Sequence, residues 1–199
     1  MLQPSEPSLS ALASTGVQTY SSEERKLLLQ IAHESIFSFL LGRDISLSAP
    51  SPHLAEPRGV FTTLYSDRKL RGCVGFPAAV LPVYRAVMES ARAAASEDPR
   101  FPPIRPEEAR LIRISISVLS PLQPISPDEV EIGRHGLVVS EGVQRGLLLP
   151  QVPVEHGWSR VTFLEQTCLK AGLPPDAWRS GAGIEAFTAE VFGDPVDSA

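Results

Sequence analysis

Two cysteines, four histidines and a set of arginines carry most of the chemistry open to this chain of 199 residues. Cys73 stands in the segment Arg71-Gly72-Cys73-Val74-Gly75. A thiol attacks only as its thiolate, and a nearby cation favours that form. Arg71 is two positions away and shares a face with Cys73 if the segment is a strand, where side chains alternate with period 2. Gly72 and Gly75 would let a ligand approach the backbone closely. The alternative is plain: an unpaired cysteine is commonly a small buried hydrophobe. Cys168 falls on the apolar stripe of a helix and reads as core.

Other polar groups are candidates for recognition and proton transfer. Asp98-Pro99-Arg100-Phe101 forms a stiff polar segment. Its carboxylate and guanidinium bind a substrate or pair with each other. His135 precedes Gly136 at a strand start, where it faces a cleft or bonds to a turn backbone. Gln151 and Glu155 follow the apolar run Leu147-Leu148-Leu149-Pro150, and Glu155 is a candidate general acid or base. The histidines and cysteines lack the close pairs that zinc sites use, so no metal is expected. No dinucleotide fingerprint, phosphate-binding loop, nucleophile elbow or protease-type cysteine signature is present, so no cofactor is implied. Arginines outnumber lysines 15 to 3. Guanidiniums suit phosphate contacts, but these are scattered along the chain.

The elements that must hold these groups follow from periodicity. Ser21 with Glu24 forms a capping box for a helix reaching Leu41, closed by Gly42. Residues 59–65 and 69–75 read as a hairpin turning at Ser66-Asp67-Arg68. The glycines of the second strand suggest a bulge or a close backbone approach. Pro82 opens a second helix, with Tyr84, Val87, Met88, Ala91, Ala94 and Ala95 on its apolar stripe. Pro106 starts a short helical turn. Residues 111–119 alternate Ile and Val with Arg and Ser, the pattern of a strand with one buried face. Residues 135–140 and 143–149 form a second hairpin through Glu141-Gly142. A third helix runs from Ser159 to Ala171, with Val161, Leu164, Cys168 and Ala171 inward. One last strand covers 184–192. Helices and strands mix without regular alternation, which indicates α+β.

Composition narrows the class. At 43% hydrophobic and 21% charged residues, the chain has the material for a packed core. Its formal charge of −5 argues against a strongly basic nucleic-acid binder. No apolar run is long enough to cross a membrane, and no basic leader precedes Arg25. The expected location is cytoplasmic, with both thiols reduced. Residues 1–20 read as a flexible tail, 21–193 as a single domain and 194–199 as a frayed end. Nineteen prolines fall mostly between elements, where they fix corners.

Six blocks now stand in order: LRGCVGF (70–76), EDPRFPP (97–103), ISVLSPLQPI (116–125), GRHGLVV (133–139), GLLLPQV (146–152) and FLEQTCLKAGL (163–173). Together they resemble the AMMECR domain family, over roughly residues 22–192. The first block carries the family hallmark, LRGC followed by Ile or Val and then Gly. This chain departs at Phe76-Pro77, where many relatives have a Thr-Phe pair, and its N-terminal tail has no counterpart. The resemblance implies an α+β fold of two unequal subdomains, discontinuous in sequence, with mixed or antiparallel sheets, flanking helices and a cleft between them. It implies no established reaction. In many prokaryotes such proteins resemble the first component of a system that also holds a Memo-like protein and a radical S-adenosylmethionine protein. Arg71, Gly72, Cys73, Gly75, Asp98, Arg100, Phe101, His135, Gly136 and Gln151 match the blocks.

Two readings follow. In the first, a cysteine-dependent enzyme uses Cys73 as nucleophile, Arg71 or Arg100 to bind an anionic group, and His135 or Glu155 to move protons. In the second, a binding module for a nucleotide, RNA or protein does no chemistry of its own. Gly72, Gly75, Asp98 and Gln151 complete the expected binding set.

Overall fold

The computed structural model describes residues 19–45 and 47–195. The expected tail and frayed end fall largely outside the described residues. Two four-stranded sheets with helices against them make the fold α+β, as expected. The chain divides into two compact units. Among the described residues, one joins the chain before Ser120 with the stretch that begins at Glu190; the other spans Ser120–Ala189.

The first unit is built on α1 (Ser22–Leu40), β1 (Val60–Ser66), β2 (Lys69–Phe76), α2 (Val83–Ser96), α3 (Pro106–Ala109), β3 (Arg113–Leu119) and β8 (Ala189–Gly193), with sheet order β2-β1-β3-β8. In the antiparallel register Val60, Thr62 and Leu64 lie opposite Val118, Ile116 and Ile114. All six are buried, so the period-2 pattern read in β3 gives the inner face of the sheet. Helix α2 lies on this face. Its Ser90 hydroxyl meets that of Thr62 at 2.7 Å inside the core. The opposite face carries Phe61, Thr63, Cys73, Ser115 and Ser117, all partly exposed.

Local signals account for the ends of these elements. Ser21 and Glu24 make the reciprocal capping box at the start of α1, and Gly42 follows its end with φ +63°. Phe39, at the last turn, is 36% exposed. Asp67 and Arg68 both take positive φ, at 49° and 65°, which suits the two-residue turn joining β1 to β2. Order begins before the expected helix cap. Tyr20 is buried and stacks on His53 at 4.7 Å. Order also continues past β8, where Asp194 accepts the Ile114 N–H at 2.7 Å and meets His33 Nε2 at 2.9 Å.

The second unit holds β4 (Gln123–Pro124), β5 (Gly136–Glu141), β6 (Gln144–Leu148), α4 (Gln151–Glu155), α5 (Arg160–Lys170) and β7 (Gly183–Phe187), with sheet order β4-β7-β5-β6. Helix α5 buries Phe163, Leu164, Thr167 and Cys168. Val161, expected inward, is 40% exposed, and Phe163 takes the inner position. Gly146 lets α5 close on β6, since a Cβ there would stand 2.3 Å from the Ala171 nitrogen. The hairpin turns at Gly142-Val143, one residue later than expected, because Glu141 pairs with Gln144. The single last strand expected over 184–192 is two strands, β7 and β8, which part at Thr188 and serve different sheets. Periodicity did not register this break, since both halves bury their own residues.

Candidate functional site

Cys73 lies on β2, an edge strand of its sheet. Every second N–H of an edge strand lacks a strand partner and must be satisfied otherwise. The Cys73 N–H donates to Asp98 Oδ2 at 2.8 Å. Asp98 reaches it from the bend after α2, where the Phe101 N–H returns to the Asp98 carbonyl and the Ile104 N–H to that of Ala95. Pro99, Pro102 and Pro103 stiffen that bend.

The Asp98 carboxylate is nearly inaccessible, with 3% of its side chain exposed. Besides the Cys73 N–H it accepts three bonds from Arg100. The backbone N–H and Nε go to Oδ1 at 3.1 and 3.0 Å, and Nη2 goes to Oδ2 at 2.7 Å. The Arg100 fork, helped by the Cys73 and Arg100 backbone N–H groups, holds the carboxyl far below the usual carboxylate range against the cost of burial. Its oxygens are committed, so Asp98 positions neighbours and does not take up a proton. Arg100 is in turn raised above its ordinary value, mainly by its bonds to Asp98, and the Cys73 sulfur adds to this. The guanidinium is 54% exposed, and its described hydrogen bonds leave Nη1 uncommitted.

The thiol itself accepts a bond from Thr63 Oγ1 at 3.3 Å. These residues face each other across β1 and β2, and Ser115 follows on β3 in the same register. Arg71 sits where the β1–β2 register shifts: Leu64 pairs with Gly72 and Tyr65 with Leu70. The strict alternation that put Arg71 beside Cys73 in sequence is interrupted there. Arg71 turns to α3, where Nε and Nη2 grip the two Glu108 oxygens at 2.6 and 3.1 Å. The Arg71 and Arg100 guanidiniums lie 6.0 and 5.5 Å from the centroid of the Phe101 ring. Two cations thus converge on one aromatic ring.

Gly72 and Gly75 do not open the backbone to a ligand. A Cβ on Gly72 would stand 2.2 Å from the Ala94 carbonyl oxygen, so its bareness serves the approach of α2 to β2. At Gly75 the Phe61 ring and the Val60 carbonyl occupy the space, each 2.4 Å from a Cβ. The bulge and close approach read from these glycines are both present.

The structure brings together Arg71, Cys73, Asp98 and Arg100 in the first unit, with Thr63, Phe101 and Glu108. Glu108 and Thr63 were missed in sequence. Glu108 stands three residues into a short helix, and Thr63 gave only a strand signal. His135, Gln151 and Glu155 belong to the second unit. His135 lies just before β5, and its Nδ1 accepts the Glu131 N–H at 3.1 Å. Burial pushes it below the ordinary histidine value. Gln151 opens α4 and Glu155 ends it, exposed. Cys168 is fully buried and its thiol is pushed up by that burial, as expected of core. Among the described residues no three His, Cys, Asp or Glu side chains gather as metal ligands. None of the helices described is long and apolar enough to cross a membrane.

Comparison with known proteins agrees with this architecture. The AMMECR1 family model matches residues 29–192. Protein MK0488 of Methanopyrus kandleri is 48% identical over 182 residues, covering 85% of this chain and 88% of its own. Protein MJ0810 of Methanocaldococcus jannaschii is 42% identical over 180 residues, covering 85% and 90%. The crystal structure of the uncharacterized protein PH0010 from Pyrococcus horikoshii superposes with a TM-score of 0.77 at 40% identity, over 87% of this chain and 93% of that one.

Proposed function

The chain belongs to the AMMECR1 family, and from that premise we propose that its working centre is a thiol site that recognises anions. Cys73 is the reactive group; Arg100 and Arg71 bind the anionic part of a substrate. One observation carries this reading. A single buried carboxylate, Asp98, fixes the Cys73 backbone and the Arg100 guanidinium at once, so thiol and cation keep one geometry. Thr63 donates to the sulfur from the neighbouring strand. The family resemblance supports a setting in the cytoplasm beside a Memo-like protein and a radical S-adenosylmethionine protein.

Paired alkylating reagents test the site. In either reaction the sulfur forms a bond to the reagent carbon and iodide leaves. Cys168 is fully buried and stays silent in the folded protein. The rate ratio of iodoacetate to iodoacetamide at Cys73 is expected to exceed that of the urea-unfolded chain by about tenfold, the effect of about 1.4 kcal/mol of anion binding. Arg100→Gln should abolish the excess. No labelling of the folded chain, or an equal ratio in Arg100→Gln, sinks the proposal.

A second reading rests on the two guanidiniums about Phe101: a nucleotide- or RNA-binding module without chemistry. It predicts salt-dependent RNA retention that survives Cys73→Ser and fails in Phe101→Ala.

A further inference from the structure

The second unit contains a cavity that neither reading of Cys73 uses. It measures about 170 Å³ and is lined by His135, Gln123, Thr188, Pro121, Pro124 and Phe187 among others. None of its lining residues is acidic, and none is Lys or Arg. Open to solvent on one side, it has room for one substituted six-membered ring.

The state of His135 defines what enters. Its Nδ1 accepts the Glu131 N–H at 3.1 Å, and its own backbone N–H returns to the Glu131 carbonyl at 3.0 Å. A neutral imidazole that accepts at Nδ1 carries its proton at Nε2. No described hydrogen bond uses that Nε2. Burial also keeps the ring below the ordinary histidine value, and protonation would break the bond from Glu131. The ring, which lines the cavity, therefore carries one neutral donor and no charge.

The walls are largely apolar and carry no formal charge. Phe187 is buried beneath Gly136, where a Cβ would come within 2.2 Å of the ring. Pro121 and Pro124 line it and bring no N–H groups. Gln123 and Thr188 add neutral groups able to donate and accept.

We propose that this cavity binds a neutral, planar, single-ring ligand of the aromatic-carboxamide or pyrimidine kind, whose carbonyl oxygen or ring nitrogen accepts from His135 Nε2. A carboxylate on the same ring is rejected, because no cation lines the cavity to offset its desolvation. This site is independent of Cys73 and uses residues of the other unit alone.

Nicotinamide and nicotinate form the test pair, alike in shape and different in charge. The full chain is titrated with each while the four histidine Hε1 signals are followed. Nicotinamide should shift His135 saturably, with millimolar affinity, while His33, His53 and His156 stay in place. Nicotinate should bind about tenfold more weakly or worse. His135→Asn keeps a short acceptor for the Glu131 N–H and removes the far donor. With its melting temperature retained, it should lose nicotinamide binding about tenfold by saturation-transfer measurement. The proposal is overturned if nicotinamide moves no histidine, if His156 moves as much as His135, or if nicotinate binds as tightly. Equal nicotinamide binding by a folded His135→Asn protein overturns it too. Should that variant not fold, the histidine shifts of the natural chain decide alone.

Discussion

The Cys73 N–H donates to Asp98 Oδ2 at 2.8 Å, across 25 positions of sequence. This bond closes the open edge of β2 with a side chain instead of a strand. Any strand added at that edge would need the same N–H, so the sheet stops there. The carboxylate that does this is itself held by Arg100. Edge closure and site geometry thus rest on one residue.

Asp98→Asn should therefore destabilise the protein by about 2–3 kcal/mol near neutral pH, because charge-assisted bonds are lost and an amide N–H faces donors. The folded carboxyl titrates below its unfolded value of about 3.9. Its contribution is complete above that pH and disappears as pH falls toward the folded value. Urea unfolding of both proteins between pH 7 and pH 3 should show a gap that narrows only below about pH 4. A constant gap would mean that the charge of Asp98 contributes nothing.

Gly72→Ala should cost about 3 kcal/mol, since its Cβ meets backbone and not a movable side chain. Gly142→Ala is the contrast: nothing stands within 4 Å there, and only its φ of +59° is strained. About 1 kcal/mol is expected for it. Chemical denaturation of both variants checks the order; equal costs would show that α2 shifts easily away from β2.

Much of this architecture was legible because it is local. Ser21 with Glu24, the alternation of Ile112 to Val118, and Gly42 as a helix stop all write their roles within a few residues. The break at Thr188 was not legible, since a strand that changes sheets keeps one continuous apolar pattern. The same limit applies to the site. The sequence showed Asp98 and Arg100 as a possible pair, and they are one. It could not show that Asp98 reaches Cys73, because that contact depends on α2 lying across the sheet. Gly72 and Gly75 looked open to a ligand, yet Ala94 and Phe61 already fill their space. Absence of a side chain marks a close approach without saying what approaches.

Glu24 joins two structures at the start of α1. It closes the capping box on the Ser21 N–H at 2.9 Å and meets His53 Nδ1 at 2.8 Å. Burial opposes its charge, but the Ser21 and His53 bonds prevail and lower its value. Glu24→Ala should cost about 1–2 kcal/mol by loss of the cap and its partner. Glu24→Gln can keep the bond to Ser21 and should cost less. Thermal melts should rank the three proteins in that order, and a Gln variant as unstable as Ala would place the effect in the His53 contact alone.

The two cysteines should separate cleanly under one substitution. Cys168 is fully buried beside α5 neighbours, and its thiol is pushed up by that burial. Cys168→Ser puts a more polar hydroxyl into that space and should cost about 2 kcal/mol. Cys73 is partly exposed and its backbone bond to Asp98 does not involve the sulfur. Cys73→Ser should change stability by less than about 1 kcal/mol, since Thr63 can donate to the new hydroxyl as it does to the thiol. The same variant should lose all alkylation in the folded state. Unfolding curves and mass spectrometry on the pair read both effects. If Cys73→Ser is as destabilising as Cys168→Ser, the thiol is a packing group and the catalytic reading loses its centre.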